Sequence, residues 1–381
     1  MNSYFLLLLI IIKIFFLNDL ISSYYVNENI NYRDKRTILS GNEELRLKLP
    51  ITYFITKPIN ALYIKIALGV LMNTTCLRFK EITYQTHSNI LFKPNPYYDA
   101  VFVKKGLLLG MVMLPSNDLQ LAKIIRETLY LLGLQYEHKR YDRNKYISIN
   151  IRNIQRQFIE KFAISHKYVK KKFDLGYDLS SIMHFSPHEY AYEGKKTFIP
   201  FKMDMNQLVG NVKIPSFNDI KLVNLKHCTT VLTPILPCRN YGYSDPLNIG
   251  RCRCLPFYDG KFCELYKKNF NNCAKNNIFE AANKVRRIDL FLNSNCFFFI
   301  KSQNSKKVLL KIGFLSKQYY NKLCSRTSKI EIRYRKSLTL GGYKYPRSLY
   351  KVNIISEGPL IVVHSIFSKP FCILSMIFVE K

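Results

Sequence analysis

Residues 126–143 read Arg-Glu-Thr-Leu-Tyr-Leu-Leu-Gly-Leu-Gln-Tyr-Glu-His-Lys-Arg-Tyr-Asp-Arg, and their spacing decides how the first half of the chain is read. Leu119, Ala122, Ile125, Leu129 and Leu132 recur at helical intervals into this run. They predict a helix capped by Ser116 or Asn117 and ended by Gly133. Positions 126 and 130 lie four apart and so share one face of that helix.

The same stretch has the frame H-E-x-x-H-x-x-G-x-x-H. In it two imidazoles stand one helical turn apart and a glycine turn brings in a third to hold zinc. Glu127 and Gly133 stand in place, but the three histidine positions hold Arg126, Tyr130 and Tyr136. Zinc takes neutral imidazole, thiolate or carboxylate, and a guanidinium has no lone pair to give. Working outward, the run from Glu137 to Ile147 resembles the H-E-H-x-R-x-D-R-D-x-Y-I continuation of the astacin family. Tyr177-Asp178-Leu179-Ser180-Ser181-Ile182-Met183-His184-Phe185 is similar to that family's Met-turn, Y-D-Y-x-S-I-M-H-Y. Gly194–Pro200, Ser216–Ile220, Pro50–Tyr53 and Thr75–Phe79 resemble further family segments in the family's order, so the resemblance spans roughly residues 45–228.

The resemblance implies an α+β, metzincin-type peptidase domain with zinc as cofactor and Glu127 at the general-base position. This chain departs from that pattern at every ligand, so no cofactor is expected and Glu127 is read as vestigial. Without a metal, water keeps a pKa of ~15.7 rather than about 7. Phe185 stands where the family's Met-turn carries a tyrosine, so that hydroxyl is missing too. Tyr130, Tyr136 and Phe185 are expected to pack above Met183. Arg126 is expected to pair with Glu127 or lie over a ring, a cation in the place of the zinc charge. Glu137 matches the family residue that receives the mature amino terminus. His138 and His184 match ordinary family residues and are read as structural.

At 381 residues, two or three domains are expected. Residues 4–22 are strongly apolar apart from Lys13 and read as a signal peptide, 1–22. Arg33-Asp34-Lys35-Arg36 then reads as a basic processing site, giving a short pro-segment, 23–36, and a peptidase-like domain, 37–228. A secreted, extracellular chain follows, with no transmembrane span after signal cleavage. Its ten cysteines then imply disulfides, and Asn73-Thr74-Thr75 is a glycosylation sequon.

By resemblance, Cys76 pairs with Cys228 across the peptidase-like region. Cys238, Cys252, Cys254 and Cys263 resemble the second half of an EGF-like module, 229–264, implying Cys238–Cys252 and Cys254–Cys263. A tetracysteine zinc site is the alternative reading of those four. From residue 265 alternating runs such as Ile330–Arg335 and Leu360–Val363 predict an all-β domain, 265–381. Its cysteines resemble those of a CUB sandwich, implying Cys273–Cys296 and Cys324–Cys372. An unrelated sandwich would show much of the same alternation.

Lys and Arg number 58 against 26 Asp and Glu, a formal charge of +32. Glu331, Arg333 and Arg335 are placed on one strand face, with Lys336 at its end. Secretion argues against nucleic acid, so protein, sulfated-glycan or anionic-surface partners are expected, with the oligomeric state open. A lysine-rich composition throughout would produce the same charge without a partner. Two readings of function result: a non-catalytic pseudo-metalloprotease that binds, or a zinc metalloendopeptidase as the family implies.

Overall fold

The protein is described by a computed structural model covering residues 48–381 apart from 166–174, 203–207, 211, 229–234, 271–272, 293–294, 316–323, 325, 346–351 and 370–371. The expected signal peptide, pro-segment and Arg33–Arg36 site lie outside the described residues. In the first half, strands β1 (Ile51–Ile55), β2 (Phe79–Glu81), β3 (Ile90–Pro94), β4 (Asp99–Lys105) and β5 (Leu108–Leu114) form one sheet. Its order is β2-β1-β3-β5-β4; only β4, at the edge, runs antiparallel to its neighbour. Helices α1 (Ala61–Thr74) and α2 (Leu121–Leu131) pack against each other, and α2 also lies on β4 and β5. Ile64, Leu68 and Leu71 of α1 and Ile124, Ile125 and Leu129 of α2 are buried against Phe92 and Val112.

The helix carrying position 126 starts later than its periodicity suggested. Its N-cap is Gln120 rather than Ser116 or Asn117, and no side chain caps it. The Tyr98 hydroxyl accepts from the Gln120 amide at 2.7 Å and donates to the Asp118 carbonyl, so a tyrosine 22 residues upstream holds the helix start. The end falls where expected. Gly133, at φ +90°, donates to the Tyr130 carbonyl, and Leu134 donates to the Leu129 carbonyl. A residue with a Cβ is strained at that φ.

Short strands β6 (Ile147–Ile149) and β7 (Phe198–Pro200) pair antiparallel below the cleft. Helix α3 (Phe217–His227) closes this half. Ser216 and Asp219 form a capping box at its start, and Cys228 just after it bonds to Cys76. Two hairpins follow: β8 (Tyr243–Ser244) with β9 (Cys252–Arg253), and β10 (Tyr258–Asp259) with β11 (Leu265–Tyr266). Disulfides Cys238–Cys252 and Cys254–Cys263 staple them.

The C-terminal region is all-β: β12 (Ile278–Ala281), β13 (Arg286–Phe291), β14 (Cys296–Ser302), β15 (Val308–Leu315), β16 (Lys329–Arg333), β17 (Tyr343–Tyr345), β18 (Val352–Ile355), β19 (Leu360–Phe367) and β20 (Ile373–Glu380). They make two sheets, ordered β12-β14-β19-β16-β17 and β13-β20-β15-β18. Strict alternation puts Phe298, Ile300, Ile330, Ile332, Ile361 and Val363 of the first sheet into the core with Leu310, Ile312, Leu374, Met376 and Phe378 of the second. Disulfides join Cys273 to Cys296 and Cys324 to Cys372, and no described cysteine is free. The other face of the first sheet is also covered: Phe297, Phe299 and Val362 pack with Leu255, Phe257 and Leu338.

That covering overturns the expected basic strand face. Arg333 is tied internally, donating to the Leu338 and Leu340 carbonyls and pairing with Glu331 at 3.1 Å, and Arg335 is buried past the strand's end. Alternation identified the face but could not distinguish solvent from a neighbouring segment. Residues Lys35–Lys381 form one compact unit, so the loop after β16 meets the back of the Met-turn segment. There Asn218 bonds Thr339 at 3.0 Å, and a Cβ on Gly341 would come within 2.5 Å of the Ser180 hydroxyl.

Candidate functional site: a filled catalytic frame

The turn at Gly133 brings Tyr136 back over the helix, where its ring stacks on Tyr130 at 4.6 Å and 11° between planes. From below, Asp219 accepts from the Ser181 hydroxyl at 2.6 Å and from the Ile182 amide at 3.0 Å. This fixes the Met-turn. The Met183 carbonyl accepts from the Glu137 amide, and Phe185 is buried with its ring 5.0 Å from Tyr136. The three aromatic replacements therefore do pack together above Met183.

Arg126 fills the centre. Its Nε donates to Glu127 Oε1 at 2.9 Å, and its guanidinium carbon lies 4.6 Å over the Phe185 ring. Both expected contacts are therefore made at once. A third partner was not anticipated: Glu189 takes a bidentate pair from Arg126, Nη1 to Oε2 at 2.9 Å and Nη2 to Oε1 at 2.5 Å. Glu189 sits 63 residues away, beyond every spacing rule, and the Ser186 amide donates to it at 2.9 Å. The available signal was donor count: a buried guanidinium has five N–H groups, and Glu127 alone could not satisfy them.

The remaining Glu127 oxygen, Oε2, accepts from the Tyr136 hydroxyl. Glu127 is 1% exposed and Arg126 3%. Burial pushes the Glu127 carboxyl up, only partly offset by Arg126 and Tyr136. Glu189 goes the other way: burial raises it, but Arg126 and the Ser186 amide bring it below the ordinary carboxylate range. Burial lowers the Arg126 pKa, and the two carboxylates more than reverse that. Tyr136 is held well above the usual phenol value by burial and then by Glu127, and Tyr130 is raised by the same two causes.

This donor set does not fit zinc. A cation bound to two acids occupies the centre, and both phenols are kept protonated, as donors rather than ligands. His138 and His184 are buried and bonded to the Lys161 and Phe185 carbonyls. Among the described residues no three His, Cys, Asp or Glu side chains converge elsewhere as a metal site. Glu137 accepts from the Asp178 amide at 2.7 Å and lies 3.4 Å from Arg140. Asn73 is exposed in the last turn of α1. Beside the filled centre an open cleft of ≈ 420 Å³ runs past Gln120, Lys123, Arg126, Ile182, Glu189 and Lys213.

A helix ended by a glycine turn, a Met-turn beneath it and a mixed sheet with an antiparallel edge define a metzincin-type protease fold. The model of the astacin peptidase family matches residues 41–228, and the chain belongs to this family through that region. Zinc metalloproteinase nas-34 of Caenorhabditis elegans is 25% identical over 339 residues, covering 87% of this chain and 55% of its own length. Zinc metalloproteinase dpy-31 of Brugia malayi is 31% identical over 210 residues, 54% of this chain and 35% of that protein. High choriolytic enzyme 1, a hatching enzyme zinc-protease from Oryzias latipes, is 26% identical, with a TM-score of 0.39 over 46% of this chain and 88% of that one. The chain thus spans about a third to a half of the length of the curated relatives it matches.

Proposed function

We propose that this is a secreted, catalytically inactive astacin-domain protein that acts by binding proteins or anionic surfaces. One observation carries the reading: both carboxylate oxygens of Glu127 are engaged, by Arg126 Nε and by the Tyr136 hydroxyl. A general base must reach the proton it removes, and this one is closed off from water. The adjoining cleft is open, so a peptide can lie there without being cut. On this reading residues 229–264 are a reduced EGF-like module and 265–381 a CUB-like sandwich. The signal at 1–22, the pro-segment at 23–36 and glycosylation at Asn73 belong to the same reading. Disulfides support secretion, and no helix among the described residues is long and apolar enough to cross a membrane.

The relatives' names favour the second reading, zinc metalloendopeptidase, and one experiment separates the two. The purified chain should carry well under one zinc and cleave no general protein substrate. Stoichiometric zinc by elemental analysis together with chelator-sensitive proteolysis refutes the binding-only reading.

A further inference from the structure

A second, smaller pocket of ≈ 170 Å³ lies where the loop after β16 meets the peptidase half, lined among others by Lys145, Tyr177, Phe201, Lys202, Arg335 and Glu357. It is below the roughly 300–1,000 Å³ of small-molecule pockets, so it suits a compact group. Arg335 is 6% exposed and forms its buried wall, while Lys145, Lys202 and Glu357 are exposed at the mouth.

The informative atom is Arg335 Nε, which is buried and has no hydrogen-bond partner. Its guanidinium makes one long contact, Nη1 to the Tyr177 carbonyl at 3.4 Å. Other buried arginines here are satisfied: Arg126 holds Glu127 and Glu189, Arg140 holds Asp142, and Arg143 holds the His138 and Phe162 carbonyls. A buried guanidinium ordinarily needs such partners. The acid at the mouth does not meet this need. Glu357 Oε1 is taken by Lys202 at 2.6 Å, and its Oε2 accepts from the Lys336 amide at 3.2 Å. With three cationic side chains against one engaged carboxylate, the pocket attracts anions.

We propose that this junction pocket binds a compact oxyanion, a sulfate or phosphate group, on Arg335 with Lys145 and Lys202 at its rim. A guanidinium presents parallel N–H donors to such a group, and the lysines add point charges. The group is either a free ion or the ester of a sugar whose ring stays outside, beside the exposed Phe201. Bound there, it ties the C-terminal region, through Arg335, to the peptidase half. The proposal takes up the anion-binding part of the reading above at a site apart from the cleft, and its test reads neither zinc nor proteolysis.

The experiment titrates the intact, disulfide-bonded chain with sodium sulfate against sodium chloride at matched ionic strength, following the melting midpoint and the heat of binding. Sulfate stabilises proteins generally by exclusion from their surface, so only a saturable response counts. The expected result is saturable binding that Arg335→Lys weakens roughly tenfold or more, since a charge-assisted bond is lost. Lys213→Gln, in the cleft, should leave it unchanged. If Arg335→Lys does not fold, Lys145→Gln reads the same affinity and should weaken it. An identical sulfate response in Arg335→Lys or Lys145→Gln and the unmodified chain, or no saturable response at all, overturns the proposal. A sulfated disaccharide that competes with sulfate admits the sugar ester, while failure to compete assigns the site to the free ion; both uphold an oxyanion pocket.

Discussion

Replacing Arg126 by alanine tests the central feature of the cleft. The substitution removes three charge-assisted hydrogen bonds, at 2.9, 2.9 and 2.5 Å, and the cation over Phe185. Glu189 is left with the Ser186 amide and Glu127 with the Tyr136 hydroxyl, both carboxyls still buried. Breaking a buried pair by removing one partner costs ~3–5 kcal/mol. Glu127 offsets part of this by taking a proton, since burial already raises its pKa, so most of the loss falls on Glu189. Arg126→Ala should therefore lower stability by about 3 kcal/mol or more in urea denaturation of the disulfide-intact chain. The chain has no tryptophan, so near-ultraviolet circular dichroism of the stacked tyrosines is the appropriate probe. Adding Glu189→Gln should restore at least about 1 kcal/mol, because the two residues act as a unit. If Arg126→Ala shifts stability by no more than about ±0.5 kcal/mol, as at an ordinary surface site, the arginine is not holding the cleft and the account given for it is wrong.

Restoring histidine at 126, 130 and 136 together should yield a chain that binds about one zinc by elemental analysis, because the Gly133 turn and the Met-turn keep the three positions converged; no binding would mean the cavity has been remodelled beyond its ligands. Burial holds His184, His227 and His364 down to about 4 from an ordinary 6.5. The unfolded chain thus takes up protons first, and stability should be full above 6.5 and fall as pH drops toward 4. His184→Asn should flatten the slope by up to about 3 kcal/mol across that window. Gly133→Ala forces a Cβ onto a φ of +90° beside the Lys226 ammonium and should cost roughly 1–2 kcal/mol in the same denaturation assay.

Local spacing made the frame of the site legible: Glu127, Gly133 and the Met-turn stand where the chain's own order puts them. The aromatic packing followed from side-chain size at positions already known to converge. Three features were not legible, each for a physical reason. The start of α2 depends on the Tyr98 hydroxyl, a tertiary contact that outweighs the capping preference of Ser116 and Asn117. Glu189 meets Arg126 only through the fold, so periodicity carries no trace of the pair. The strand face bearing Arg333 read as basic and solvated because alternation reports which residues share a side, not what lies against it. The structure ties Arg333 to Glu331 and buries Arg335 against the peptidase half.

The closed network around Arg126 also constrains which neighbouring sequences are reachable by mutation. A single return to histidine at 126 takes the guanidinium from Glu189 and Glu127 together, leaving two acids in a dry enclosure. A single return at 136 removes the hydroxyl that holds Glu127 Oε2. Neither step assembles a zinc site alone, and each lowers stability before any ligand set is complete. Selection acting one substitution at a time therefore meets a valley on either route, so the arrangement behaves as a ratchet: simple to keep, and hard to leave except by several changes at once.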